Sequence, residues 1–188
     1  HATFKAGLFM SAGIIDHETG TRDMRRLSGL RHSMPVTATL ATVAAAAMAG
    51  VPLLNGFLSK EMFFAETVFV QANPLVESLL PWAATLAGLF SVAYALPFCV
   101  ETFGGPPADD LPRQPHEPPH WMRVPVELLV LICLLVGVLP QWTVGGFLDA
   151  AARPVVGGEM PEFSLAVWHG FNTPFMMSLV ALVGGTLL

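Results

Sequence analysis

Charged residues are scarce in this sequence. Of its 188 residues, only 12% are Asp, Glu, Lys or Arg, whereas 53% are hydrophobic. Soluble domains carry roughly 25% charged residues, so this composition excludes a soluble enzyme and a nucleic-acid-binding protein. Cysteine is scarce too. Cys99 and Cys133 lie in or beside apolar stretches, and we expect core residues rather than a disulfide or a metal-binding pair.

Four long stretches contain no Asp, Glu, Lys or Arg at all, namely 32–59, 78–100, 128–148 and 163–188. A helix of about 20 predominantly apolar residues crosses a bilayer, and backbone exposed to lipid must satisfy its own hydrogen bonds. We therefore predict an all-α fold, a polytopic transmembrane helix bundle of about five spans. The predicted spans are 1–15, 34–72, 77–103, 123–139 and 169–188, and 141–168 is predicted to be a loop that could include an interfacial turn.

The two ends of the sequence lack polar flanks. It begins at His1 with no charged region before the first apolar stretch, and it ends inside an apolar stretch at Leu188. This differs from the charged start of a signal peptide. We therefore expect residues 1–188 to be an internal fragment of a larger transmembrane domain.

The second predicted span is too long for one straight helix and is interrupted at 51–57. Pro52 lacks a backbone donor, and Asn55 and Gly56 are typical of turns. The span is either one broken crossing or a hairpin of two crossings. A broken crossing places the loops 16–33 and 104–122 on one side of the membrane.

The distribution of basic residues favours the broken crossing. In that arrangement one side holds six of the seven Lys and Arg residues that lie outside the spans, whereas a hairpin divides them five against two. Cytoplasmic loops of membrane proteins are enriched in Lys and Arg. We predict one broken helix, with the loops 16–33 and 104–122 in the cytoplasm.

Lys60 is the first candidate for chemistry, because it follows Gly56 by four residues and should lie close to the break. A broken transmembrane helix is tolerated where its free backbone groups line protein or water, as in transporters. A lysine held there could gain and lose a proton. The alternative is that Lys60 extends to the membrane surface or pairs with Glu61.

Lys5 is the second candidate, and His1 lies four residues before it, on the same face of a helix. Histidine both donates and accepts hydrogen bonds and titrates near neutral pH, so His1, Lys5 and Lys60 could form a proton relay. The alternative places His1 and Lys5 near a membrane surface. The predicted site residues are these three, together with Pro52, Asn55 and Gly56 of the break.

One motif in the sequence imitates a zinc protease. The stretch HEPPH at 116–120 has the letters of the H-E-x-x-H signature, which requires a helix to bring both histidines together. Pro118 and Pro119 are incompatible with a helix interior. We expect a surface loop here, and we predict neither a metal site nor a cofactor.

Several motifs resemble a known family. HATFKAGLF at 1–9 resembles the H-A-x-F-K-A-x-L-F signature of the proton-antiporter-like membrane subunits shared by respiratory complex I and the Mrp-type antiporters. The stretches 28–35 and 52–61 are similar to the family's G-G-L-x-x-x-M-P and P-x-x-x-G-F-x-S-K motifs, with Ser28 where the family often has glycine. DHETGTRD at 16–23 looks most like the large A subunit of Mrp-type sodium/proton antiporters. The motif resemblance is strong over residues 1–67 and weak beyond them.

The resemblance implies roles for three residues. Lys5 matches a central-axis lysine, His1 matches its relay histidine, and Lys60 matches a lysine of the discontinuous helix that leads to one exit. It implies part of a secondary transporter rather than an enzyme, located in the cell membrane beside other membrane subunits, exchanging external protons for cytoplasmic sodium. Two alternatives remain: a proton-pumping membrane subunit of NADH:quinone oxidoreductase, and a scaffold segment that conducts nothing.

Overall fold

The computed structural model describes residues 1–158, 165–168 and 170–188. Helices and their connections make up these residues, and the predicted all-α class is confirmed. The helices are α1 Ala2–Thr19, α2 Pro35–Ala49, α3 Asn55–Phe69, α4 Pro74–Phe103, α5 His120–Val138, α6 Gly146–Val156 and α7 Thr173–Leu187. Within the described residues, α4 and α5 are long and apolar enough to cross a membrane, and α2 and α7 are shorter apolar helices.

Local sequence signals explain where the helices begin. Asn73 accepts a hydrogen bond of 2.9 Å from the Val76 N–H and so caps α4, whose first residue is a proline. Asn172 caps α7 in the same way through the Phe175 N–H, also at 2.9 Å. The last span was predicted to begin at His169, which lies outside the described residues.

The packing of buried residues shows that α2 and α3 are the two halves of one interrupted helix. Both halves pack against α4. Three residues of the two halves share a core cluster with a residue of α4. In α2, Ala38 clusters with Phe103 and Ala49 clusters with Val92, and in α3, Phe64 clusters with Ala84. The partner position on α4 falls steadily as the position on α2 and α3 rises. The two halves therefore run antiparallel to α4 in a single line, which is the broken arrangement and not the hairpin.

The break covers 50–54 and is shorter than the predicted 51–57. Pro52 lies within it, but Asn55 and Gly56 are the first two residues of α3, which corrects their assignment to the break. Gly56 is required in this first turn because a Cβ there would overlap the carbonyl oxygen of Ala47. The first helix, α1, continues to Thr19 and not to residue 15, and it ends where Gly20 adopts the left-handed conformation and donates its N–H to Asp16 O at 2.8 Å.

The segment after α5 is helical, where the sequence predicted a loop. A π-helical turn at Gln141–Gly145 leads directly into α6. Arg153 donates to Asp149, one turn earlier, at 2.8 Å, while Phe147 is 77% exposed. The mixture of polar and apolar residues and the neighbouring glycines are typical of a loop. The spacing of the apolar residues, however, is that of an amphipathic helix.

The loops 16–33 and 104–119 pack against each other at one end of the bundle. Backbone hydrogen bonds join Gly29 N to Gly104 O at 2.6 Å and Arg113 N to Thr19 O at 3.2 Å. Between them, the buried carboxylate of Glu18 lies 3.1 Å from His116 Nδ1. The two loops therefore share a side, as a single broken helix requires.

Glu117 shows what the rejected protease motif contributes instead. The residues before His120 lie in the loop, not in a helix. From there the Glu117 carboxylate accepts hydrogen bonds of 3.0 Å from the backbone N–H groups of Val36 and Thr37, and one of 2.6 Å from the Thr37 hydroxyl. A carboxylate at this position satisfies free donors and the positive end of the helix dipole. Glu117 thus caps α2 from a distant part of the chain.

Candidate proton-relay site

The break leaves two carbonyl groups of α2 without partners in their own helix. Gly50 N donates to Ala47 O at 3.1 Å, and Val51 N donates to Ala46 O at 3.0 Å. The next carbonyls, those of Met48 and Ala49, belong to the last turn, where a helix runs out of its own donors. The end of a helix also carries partial negative charge, which attracts cations.

The backbone of the break is left-handed at two points and is strained at one of them, Leu53. Gly50 has φ 82 and Leu53 has φ 70, both in the left-handed region. Glycine adopts this conformation readily, whereas another residue costs about 1–2 kcal/mol there. Such strain persists only where the surrounding structure enforces it, and it concentrates at functional sites.

Lys60 supplies the partner of one free carbonyl. Its Nζ donates to Ala49 O at 2.6 Å and lies 3.4 Å from the Ser91 hydroxyl of α4. Its side chain crosses directly over Gly50, where an added Cβ would stand 2.9 Å from Lys60 Cδ. Gly50 therefore both turns the chain and leaves room for the lysine.

Lys5 approaches the same end of α2 from α1. Its Nζ lies 3.0 Å from the sulfur of Met48 and 5.6 Å from the centroid of the Tyr94 ring of α4. An ammonium over an aromatic face is held by the negative face of the ring. Lys5 and Lys60, which come from different helices, thus reach consecutive residues, Met48 and Ala49.

His1 does not join this arrangement through a direct contact. Its ring is exposed and packs on Phe4, with 5.1 Å between ring centroids. Its backbone carbonyl accepts from Lys5 N at 3.1 Å, but within the described part of the chain no hydrogen bond links the imidazole to Lys5. The relay between these two side chains stays a prediction.

The start of α3 is fixed against α1 and α2. A Cβ on Gly56 would overlap the carbonyl oxygen of Ala47, so only glycine permits this approach. The Asn55 amide donates to the Thr3 hydroxyl of α1 at 2.8 Å. Its other polar atom, Oδ1, is buried and has no hydrogen-bond partner among the described residues. An unused acceptor therefore lies beside the break.

Glu61 is the alternative partner proposed for Lys60, and its side chain is buried. It lines a cavity together with Leu58 and Met62 of α3 and with Asn172, the residue that caps α7. Adjacent residues of a helix point in different directions. Lys60 itself is turned toward the end of α2. For the parts of the chain that the structure describes, no group of three or more His, Cys, Asp or Glu side chains could hold a metal ion.

Sequence reasoning missed Met48, Ser91 and Tyr94. A weak signal for the latter two exists, because they are polar residues inside the uncharged stretch 78–100, and a spacing of three places them on one helix face. Tyr94 is also the only tyrosine of the chain. Met48 offered no such signal, since it looks like any apolar residue of α2.

Apolar helices packed in a bundle, one of them broken and with two lysines at the end of its first half, define a polytopic membrane protein with a discontinuous helix. Residues 1–86 match the family described as NADH:quinone oxidoreductase/Mrp antiporter, TM. Residues 1–86 therefore carry the domain of this family, and the resemblance inferred from the motifs is confirmed.

Three relatives show how far the similarity extends. The chain is 62% identical over 186 residues to the A/B subunit of a probable K(+)/H(+) antiporter of Rhizobium meliloti (strain 1021), covering 98% of this chain and 18% of that protein. It is 37% identical over 198 residues to the A subunit of the Na(+)/H(+) antiporter of Bacillus subtilis (strain 168), covering 100% of this chain and 25% of that protein. A chain in the solved structure of the Mrp complex from Dietzia sp. DQ12-45-1b matches with 34% identity and a TM-score of 0.83, over 100% of this chain and 20% of that one.

The chain therefore spans about a fifth to a quarter of the length of these relatives. These relatives align over essentially the whole chain. The sequence similarity therefore continues beyond residue 67, where the motif resemblance becomes weak.

Proposed function

We propose that this chain is part of a membrane antiporter that exchanges protons for a monovalent cation, and that Lys5 and Lys60 carry protons past the break. The observation that supports this most is the meeting of the two lysines at Met48 and Ala49, the free end of α2. A cation is stabilised there by carbonyl oxygens and by the helix dipole. The names of the relatives, which are sodium/proton and potassium/proton antiporter subunits, point to the same activity.

In this mechanism each lysine alternates between a charged and a neutral state. Charged Lys60 is held by the Ala49 carbonyl at 2.6 Å, a charge-assisted hydrogen bond that weakens when the proton leaves. Two positive charges near each other in a medium of low dielectric constant repel strongly. Protonation of one lysine therefore favours release from the other, and a proton can pass between them in steps.

The remaining parts of the path lie around these two residues. His1 would exchange protons with Lys5 through a water molecule or a rotation of its ring, since the two side chains are not in contact. The unused Oδ1 of Asn55 is the kind of acceptor that binds such a water. We place the loops 16–33 and 104–122 in the cytoplasm of a cell-membrane protein, with other membrane subunits around the bundle.

The test removes the charge at position 60 in the assembled complex. In everted membrane vesicles, Lys60→Ala is expected to abolish proton exchange driven by added Na⁺ or K⁺, while the complex still assembles. Arg153→Ala is the matched control, because it also removes one positive charge but lies on α6, paired with Asp149. Exchange near the wild-type rate in Lys60→Ala would refute the role assigned to this residue.

The cation is identified in the same vesicles. The sequence motifs resemble a sodium antiporter, whereas the relative at 62% identity is named as part of a probable potassium antiporter. Exchange with Na⁺ alone, with K⁺ alone or with both decides between them. Because the matched family also includes NADH:quinone oxidoreductase, flavin or iron-sulfur absorbance in the purified assembly would assign the chain to that redox-driven pump instead.

A further inference from the structure

The Ser91 hydroxyl lies between Lys60 and the backbone of α2. Ser91 Oγ donates to Met48 O at 3.3 Å, while Lys60 Nζ lies 3.4 Å from the same hydroxyl oxygen. The Met48 side chain in turn contacts Lys5 Nζ at 3.0 Å. One hydroxyl group thus connects Lys60 to the residue that touches Lys5.

Two other hydroxyl groups on the same helix, those of Thr85 and Ser78, behave differently. Thr85 bonds to the Pro81 carbonyl at 2.7 Å and Ser78 to the Leu75 carbonyl at 3.1 Å, both within α4. That local bond is the usual arrangement for serine and threonine within apolar helices. Ser91 leaves its own helix and reaches the free end of α2, so its position is specific to the break.

We infer that Ser91 is a positioning residue that responds to the protonation state of Lys60 and passes it toward Lys5. The inference rests on the proposed function. Charged Lys60 has only donors, so the Ser91 oxygen accepts from it and the hydroxyl proton points to Met48 O. Neutral Lys60 has a lone pair, and the Ser91 hydroxyl turns to donate to it. Met48 O then loses its partner, which loosens the residue that contacts Lys5.

The geometry suits a group that changes its direction of donation. The bonds of 3.3 and 3.4 Å at Ser91 are long, whereas the bond from Lys60 to Ala49 O is short at 2.6 Å. The carbonyl holds the charged lysine, and the hydroxyl is free to turn. Among the described residues, the titratable groups that approach this point are Lys5 from α1 and Tyr94 from α4, with Glu61 next to Lys60 in the sequence of α3.

The experiment measures the rate of cation-driven proton exchange against pH in everted vesicles that carry the assembled complex. Ser91→Ala removes the donor for neutral Lys60, whereas the charged form loses only the long contact of 3.4 Å and keeps its short bond to Ala49 O. The rising limb of the profile is therefore expected to move to higher pH by about 0.5–1 unit. Ser91→Thr keeps the hydroxyl and should restore the wild-type profile. Ser78→Ala is the matched control on the same helix and should change nothing.

Ser91→Cys provides a second measurement should the alanine variant fail to assemble. A thiol is a weaker donor than a hydroxyl, so its profile should move in the same direction by a smaller amount. A wild-type profile in an active Ser91→Ala or Ser91→Cys complex overturns the inference and leaves the proposed function intact. A shift in Ser91→Thr as large as that in Ser91→Ala also overturns it, because the effect would then be steric. Loss of the proposed function itself shows separately, as exchange that persists in Lys60→Ala.

Discussion

Gly50→Ala should impair exchange by displacing Lys60 without removing it. Gly50 has φ 82, and an added Cβ would lie 2.9 Å from Lys60 Cδ, 3.1 Å from Cε and 3.2 Å from Nζ. The lysine side chain is flexible, so it can move away. In doing so it gives up the 2.6 Å bond to the Ala49 carbonyl.

The effect of Gly50→Ala has two causes, backbone strain and displacement of Lys60, and a control variant separates them. The left-handed backbone costs about 1–2 kcal/mol for alanine. Gly105 also has a left-handed backbone, with φ 77, but its Cβ would meet nothing within 4 Å. Gly105→Ala therefore carries the backbone cost alone. The displaced lysine loses a hydrogen bond to a charged group, worth about 1.5–3 kcal/mol, which corresponds to a rate roughly 10- to 100-fold lower.

The assay compares both glycine variants with the wild type in everted vesicles, after the amount of assembled complex has been equalised. Thermal unfolding in detergent should show a small loss of stability for Gly105→Ala and a larger loss for Gly50→Ala, which also loses the bond from Lys60 to Ala49 O. Only Gly50→Ala should exchange slowly. Wild-type exchange rates in both variants would refute the idea that the position of Lys60 matters, and equal slowing would show that backbone strain alone is responsible.

Two further predictions concern the end of the bundle where the loops meet. Glu117→Gln removes the charge that caps α2, so we expect the free energy of unfolding to fall by about 1 kcal/mol and the first amides of α2 to exchange hydrogen faster. Glu101 is exposed, and Glu101→Gln is the control. Equal protection of these amides in the two variants would argue against the cap. Because the Ser28 hydroxyl bonds to Pro106 O at 2.9 Å, the pair Ser28→Cys and Pro106→Cys should form a disulfide under mild oxidation, and failure to do so would contradict the shared side of the two loops.

Local chemistry is sufficient to predict much of this fold. Long uncharged stretches predict the helices, and Pro52 together with the basic loops predicts one broken helix rather than a hairpin. The predicted break extends too far, because Gly56 permits the close approach of α3 to Ala47 O and does not form a turn. The prediction of a loop after α5 was wrong because the glycines there are typical of loops, although the apolar residues have the spacing of the amphipathic helix α6.

The contacts that build the site could not be predicted in the same way. Ser91 and Tyr94 meet the lysines only because α4 runs antiparallel to both halves of the broken helix, and this depends on packing between distant segments. Glu117 caps a helix that lies 80 residues earlier in the chain. The sequence singles out Lys5 and Lys60 as candidates, but it does not predict that they contact Met48 and Ala49 at the end of α2.

The central claim is that Lys60 must release a proton at the free end of α2. Lys60→Arg tests it most directly, because arginine keeps the positive charge and the hydrogen-bond donors but does not give up its proton at the pH of a cell. The measurement is cation-driven proton exchange by the assembled Lys60→Arg complex in everted vesicles. We expect a complex that assembles normally and does not exchange protons for cations. Exchange at the wild-type rate would contradict it, since charge alone would then be sufficient.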